Sequence, residues 1–365
     1  MHLNKAIRIW LIIGMTMVIA MVIIGGITRL TGSGLSMVNW KLIQGTLPPL
    51  NETQWQETFE KYKSFPQYKL VNKDMNLESF KKIFFWEYIH RVWGRLIGIV
   101  FIIPWLYFII RKQLSAKAIK HTAILLLLGG LQGLIGWFMV KSGLVNIPSV
   151  SHYRLALHLI TALFLLSYIF WLYQVSGNDI KWDIKNKHIF NFGFALFIIL
   201  CVQIIYGAFM SGLKAGFAAP TFPLINESIL PSIAFKQEPL YMNLFNNKIM
   251  IHFIHRTLGF LILVMGCFLG FILIKEKTKQ TLRLGIAIIA IVCTQVLLGI
   301  ITLLSFKNGM PIMLASLHQF TAIILLLCIL YILIRSKNNS PSLADSKVFD
   351  RPSEKDSNKQ GQNKN

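Results

Sequence analysis

Acidic side chains are what this 365-residue chain has least of: 15 Asp and Glu stand against 37 Lys and Arg. Charged residues of either sign make up only 14% of it, whereas 54% are hydrophobic. A water-soluble fold of that composition would expose large apolar patches, so the balance points to a polytopic membrane protein. Cysteine is scarce too. Cys201, Cys267, Cys293 and Cys328 all fall inside apolar runs with no CxxC spacing, which implies buried thiols and no disulfide. The shortage of acid leaves a formal charge of +22. Such a charge would suit nucleic acid if it were clustered. Here the positives sit mostly in short connectors between apolar runs and in a polar tail, so no nucleic-acid partner is expected.

Eight apolar runs are long enough to cross a hydrocarbon core, which takes about 20 helical residues. They lie near residues 7–27, 86–110, 121–140, 153–174, 189–211, 250–274, 284–304 and 313–334. The first lacks a small-residue cleavage site and reads as a retained helix. Lys5, Arg8, Arg111, Lys112, Lys117, Lys120, Lys181, Lys185, Lys187, Lys275, Lys277, Lys279 and Arg283 gather on one side of these spans. The short connectors opposite hold only Lys141, Arg154 and Lys307. The positive side faces the cytoplasm, which puts both termini there and the long loops 28–85 and 212–249 outside. The tail 335–365 is polar, almost free of apolar residues, and expected to be disordered.

The chain also repeats itself. Glu87-Tyr-Ile-His90-Arg91 matches His252-Phe-Ile-His255-Arg256, Gln132-Gly-Leu-Ile-Gly136 matches Gln295-Val-Leu-Leu-Gly299, and Leu157-His158-Leu-Ile-Thr161-Ala162 matches Leu317-His318-Gln-Phe-Thr321-Ala322. The order is the same in both halves, and each half carries four spans. An even number of spans leaves both copies in one orientation, related by a pseudo-two-fold axis along the membrane normal. The expected architecture is all-α: an N-terminal four-helix bundle over 1–174, a polar connector over 175–188 and a C-terminal four-helix bundle over 189–334.

His90, His158, His255 and His318 each fall about five residues inside a span that enters from the outer side, roughly 8 Å deep at the helical rise. Two imidazoles on facing helices of a bundle can hold haem iron axially, whereas zinc wants four protein ligands. A lone buried histidine is ordinarily just a hydrogen-bonded packing residue, but packing does not call for four in matched repeat positions. His2, His121, His152 and His188 fall at helix ends or in loops, where a solvated histidine is ordinary. His252, one turn outward of His255, is a candidate supporting residue. Arg29, Arg91, Arg95 and Arg256 are candidate partners for propionate carboxylates, or helix anchors at the interface. The halves differ at one position: Glu87 lies one turn outward of His90, where the second half has His252. An acid beside one site only points to chemistry in the first half, by proton delivery or by stabilising a cation, and to electron storage or relay in the second.

Gly25-Gly26-Ile-Thr-Arg29-Leu-Thr-Gly-Ser-Gly34-Leu-Ser-Met-Val-Asn-Trp40, the Glu87-Tyr-Ile-His90-Arg91 motif, and Thr221-Phe-Pro-Leu with His255-Arg256 resemble haem A synthases of the branch shared by alphaproteobacteria and mitochondria. The resemblance spans about 7–334 and leaves out the tail. It implies a bacterial inner-membrane oxidoreductase that converts the C8 methyl of haem O to a formyl group by successive hydroxylations. It also implies iron ligation of substrate haem O by His90 and His158, of a haem b cofactor by His255 and His318, and a catalytic Glu87. The implied partners are haem O synthase upstream, a ferredoxin-type or other electron donor, and the assembly machinery of haem-copper oxidases; a homo-oligomer is left open. A cysteine pair that one branch carries in the first outer loop is missing here, so a mechanism needing that pair is unavailable. Two other classes compete: a di-haem b-type electron carrier without substrate chemistry, which the Glu87/His252 difference disfavours, and a haem transporter, disfavoured by sites near one face.

Overall fold

The computed structural model describes residues 3–37, 47–143, 148–177, 184 and 186–336. Eight helices among them are long and apolar enough to cross a membrane. In chain order these are α1 (Lys5–Leu30), α4 (Leu77–Ile110), α5 (Ala116–Lys141), α6 (His152–Val175), α7 (Lys187–Gly212), α9 (Lys248–Lys275), α10 (Lys279–Ser305) and α11 (Ile312–Ser336). Shorter helices α2 (Glu52–Lys63), α3 (Pro66–Leu70) and α8 (Asn243–Asn246) lie in the two long loops, and no strand occurs among the described residues. Residues 38–46, including Val38-Asn39-Trp40 of the first-loop motif, half of the 175–188 connector and the tail from 337 lie outside the described residues.

Helix starts follow local chemistry. Asn4, Asn51, Asn76, Ser115, Asn247 and Thr278 each accept a backbone N–H of the first turn that has no intrahelical partner. One face of the molecule gathers the ends that carry most of the positive charge. There Leu3 donates to the Ser176 carbonyl, Ile184 donates to the Arg335 carbonyl, and Asn186 bonds Glu276.

The packing forms two rings of four. Helices α4 and α6 each touch both α1 and α5, while α9 and α11 each touch both α7 and α10. The rings meet through α6 on α7 and α1 on α11. Lipid supplies little hydrophobic drive between spans, so close backbone approach matters. Along α9–α10, a Cβ on Gly270 would lie 2.8 Å from the Gly285 carbonyl, and one on Gly285 would lie 2.6 Å from that of Gly270. Larger residues would force these helices apart.

Helix α4 departs from the sequence reading in the first half. It begins at Leu77, inside what the hydropathy marks as the 28–85 loop, because Asn76 caps it and Phe80 and Phe84 bury their rings against Phe59 and Tyr62 of α2. His90 therefore lies well along its helix rather than near its start, while His158, His255 and His318 remain in the early turns of theirs. Pro104 interrupts α4 and cannot donate to the Val100 carbonyl. The Trp10 indole of α1 donates to that carbonyl instead, at 3.1 Å. Trp10→Phe keeps the ring but strands the carbonyl in an apolar setting, at an expected cost of ~1–3 kcal/mol. A lower thermal midpoint in detergent is the expected readout; an unchanged one would show that the carbonyl finds another donor.

Candidate functional site

The four repeat-matched histidines come together in pairs across helices. His255 of α9 and His318 of α11 face each other with ring centroids 6.4 Å apart and planes at 75°. His90 of α4 lies close enough to His158 of α6 for their imidazoles to interact electrostatically. Each ring rests on a glycine of a neighbouring helix. A Cβ added to Gly25 would sit 3.0 Å from His90, one on Gly136 3.0 Å from His158, one on Gly207 3.3 Å from His255, and one on Gly299 3.0 Å from His318. The correspondence extends beyond the histidines: Gly94 faces Met21 as Gly259 faces Gln203. Sequence comparison of the halves marks the Gly136/Gly299 match, but Gly25 and Gly207 are paired only in space, because the text around them differs.

These residues fit haem. Two metal–imidazole bonds of ~2 Å plus the ring radii span about the observed centroid separation. The Nδ1 atoms of His90 and His255 are buried without a partner. Among the described residues no three His, Cys, Asp or Glu side chains converge, so a four-ligand zinc site is not available. Two imidazoles suffice when a porphyrin supplies the other donors.

Above the first pair, Glu87 is buried and tied to the outer loop. Its Oε2 accepts from the Ser36 N–H and hydroxyl, both at 2.7 Å, and from the Met37 N–H at 2.9 Å. Its Oε1 pairs with Arg91 at 2.5 Å, and Arg91 also donates to the Met37 carbonyl. Every partner of this carboxylate is a donor. The α2–α4 aromatic cap braces the same loop, since Gln67 donates to the Gly32 carbonyl while accepting from Tyr62. Burial pushes the Tyr62 phenol above its ordinary value.

The second half answers with different chemistry. Arg256 donates to the carbonyl of Pro223 and more loosely to those of Thr221 and Leu224, with its guanidinium over the Phe222 ring. His252 occupies the place of Glu87, buried at 1% exposure, with an unpartnered Nδ1. Both arginines that follow a site histidine thus clamp the outer loop of their own half.

Arg29 reaches across the halves, donating to the Ser211 and Gly212 carbonyls at the end of α7, where a cation is favoured. Close by, Lys214 is held below the ordinary lysine range by burial and then by the charges of Arg29 and Lys248. Arg29 and Lys248 thus both lie near Lys214, none of the three in an ion pair among the described residues, a juxtaposition that sequence spacing does not reveal. Arg95 lies beside Arg91 and Tyr88. Gln319, next to His318, donates to the Val22 carbonyl, and a Cβ on Gly26 would strike it at 2.1 Å; the Gly25-Gly26 step thereby touches both sites. The remaining histidines stand apart: His121 bonds Tyr168, His152 bonds the Phe245 carbonyl, His188 opens α7, and His2 lies outside the described residues.

The family model of COX15-CtaA, cytochrome oxidase assembly protein, matches residues 8–330. The chain belongs to this family. It is 42% identical to the haem A synthase of Flavobacterium psychrophilum over 91% of this chain and 98% of that one. It is 44% identical to the haem A synthase of Wolbachia pipientis from Culex pipiens, over 90% and 98% of the two chains. A third member, the haem A synthase of Bradyrhizobium diazoefficiens, is 40% identical over 88% and 89%. All of the paired histidines, Glu87 and the arginines fall inside the family match.

Breaking the buried Glu87–Arg91 pair by Glu87→Gln has an expected cost of ~3–5 kcal/mol, because it leaves the guanidinium uncompensated. Limited proteolysis should cut the 31–37 loop faster in that variant. Equal cutting rates would mean that the loop is held by the aromatic cap alone.

Proposed function

We propose that this membrane protein is a haem A synthase: an oxidoreductase that converts the C8 methyl of haem O to a formyl group for terminal-oxidase assembly. The observation that carries the reading is the pair of facing imidazole sites, one flanked by a carboxylate and the other by His252. We read the chain as two pseudo-two-fold-related bundles, 1–174 and 189–334, joined by 175–188, a reading that the packing of the helices in two rings of four supports. His90 and His158 hold the iron of substrate haem O. His255 and His318 hold haem b, which when bound supplies one-electron storage and transfer.

The chain's own residues divide the remaining work. Gly25, Gly136, Gly207 and Gly299 let the imidazoles approach the neighbouring helices closely enough to keep fixed orientations. The loop closed by Glu87, Ser36 and Arg91 covers the first site and limits water. Surrounded by donors, Glu87 acts as a fixed negative charge beside that site rather than as a proton source. Arg29, Lys214 and Lys248 receive propionate carboxylates, with Arg91, Arg95 and Arg256 supporting the site mouths. Each of two successive hydroxylations at the methyl carbon takes one oxygen atom from dioxygen. Two electrons from a ferredoxin-type or other donor and two protons reduce the second atom to water each time, and the resulting gem-diol loses water to leave the formyl group. Haem O synthase supplies the substrate, and the oxidase assembly machinery takes the product. The membrane is the bacterial inner membrane with both termini cytoplasmic, in keeping with the cationic face described above.

Co-expression with a haem O synthase in a host lacking haem A, followed by mass spectrometry of extracted haems, tests the activity. Haem A or its hydroxylated precursor is expected; haem b alone would favour the di-haem carrier. His255→Ala and His318→Ala should each lose the resident haem b, and full retention in both would reject the second-site assignment. Glu87→Ala should keep haem b and lose product. Haem A at the normal rate from that variant would remove Glu87 from the reaction.

A further inference from the structure

The two sites treat their second-ring histidines in opposite ways. In the C-terminal half, His318 Nδ1 lies 3.1 Å from the backbone carbonyl of Gln295. A carbonyl only accepts, so Nδ1 carries the proton and Nε2 keeps its lone pair. In the N-terminal half, His158 Nδ1 lies 3.1 Å from the side-chain nitrogen of Gln132. The orientation of that amide is fixed by its surroundings: the same nitrogen donates to the His158 backbone carbonyl at 2.8 Å, and its oxygen accepts from the Thr161 hydroxyl at 2.7 Å. Its second N–H therefore points at Nδ1, which must accept, and the proton of the neutral ring sits on Nε2. An imidazole that donates its far N–H to an acceptor is the stronger metal ligand, and the partner of that N–H fixes the tautomer.

We propose that Gln132 is a positioning residue that makes His158 an exchangeable axial ligand, while the Gln295 carbonyl makes His318 a permanent one. This rests on the reading that His90 and His158 hold the substrate haem. To bind iron through Nε2, His158 must move its proton to Nδ1 and lose the Gln132 hydrogen bond, whereas His318 already holds the ligating tautomer and has only to release the long 3.4 Å contact between its Nε2 and the Gln295 side-chain nitrogen. The cost falls on the site whose haem must enter as substrate and leave as product. The repeat keeps a glutamine in both halves but aims it differently: the Gln132 side chain meets Nδ1 of His158, whereas in the second half the Gln295 carbonyl meets Nδ1 of His318 and the Gln295 side-chain nitrogen lies 3.4 Å from Nε2.

The test uses the full-length protein, loaded by co-expression with haem O synthase and held in nanodiscs, with apomyoglobin as haem acceptor. Wild type should transfer one haem population quickly and keep the other. Gln132→Glu places an acceptor against Nδ1 and should slow the fast transfer by ~10–100-fold, the range of supporting-residue effects on metal affinity. Gln132→Leu only removes the opposing donor and should slow it less. The low-spin electron paramagnetic resonance signal of the first site should shift in Gln132→Glu toward that of the second. A merely structural lesion would loosen haem, so slower release separates positioning from damage. Rates within twofold of wild type, or faster, in both variants would overturn the proposal. His158→Ala is the separate check on the underlying reading: it should abolish the fast population, and its persistence would reject His158 as a substrate-site ligand whatever Gln132 does.

Discussion

The close seating of a flat imidazole against a glycine on the neighbouring helix is the constraint on which the rest of this structure depends. Within a membrane span a histidine cannot turn to water, so its ring must be held by packing and by the few polar groups within reach. At Gly25, Gly136, Gly207 and Gly299 a methyl group would press on the ring at 3.0 to 3.3 Å. Interhelical distance and ring orientation are therefore set together. The helix pairs that bear the rings and the glycines are those that close each ring of four.

The two halves differ most where they depart from the repeat. Both halves clamp an outer loop with the arginine after the site histidine, but only the first adds a buried carboxylate that gathers two backbone N–H groups and a hydroxyl. The second places a buried imidazole, His252, at the same position. The repeat places two similar pairs of imidazoles, and local replacement then sets a buried carboxylate beside one and an imidazole at the same position beside the other. Contacts across the halves, such as Gln319 to Val22 and Arg29 to the end of α7, keep the two sites in register.

Much of this was legible in residue order. The eight spans follow from apolar run length, and the four site histidines from matched repeats, because hydropathy and periodicity are local properties. The start of α4 was not legible from hydropathy. Leu77-Glu78-Ser79-Phe80-Lys81-Lys82 reads as a polar loop until Phe80 and Phe84 find Phe59 and Tyr62. Glu87 was visible as an odd acid beside a histidine, but not as a carboxylate met only by donors, since Ser36 and Met37 approach it from another part of the chain. The Arg29, Lys214 and Lys248 cluster was hidden for the same reason.

The sequence by itself determined that the chain is helical, membrane-spanning, internally repeated and provided with two repeat-matched histidines per half, since each of these is written in composition, run length or repeat. Only the tertiary structure decided which atoms meet: which nitrogen of His158 faces Gln132, which loop closes over Glu87, which carbonyl Trp10 satisfies across from Pro104. Hydrogen-bond direction and close approach depend on the relative positions of helices far apart in the chain, and local order carries no record of them.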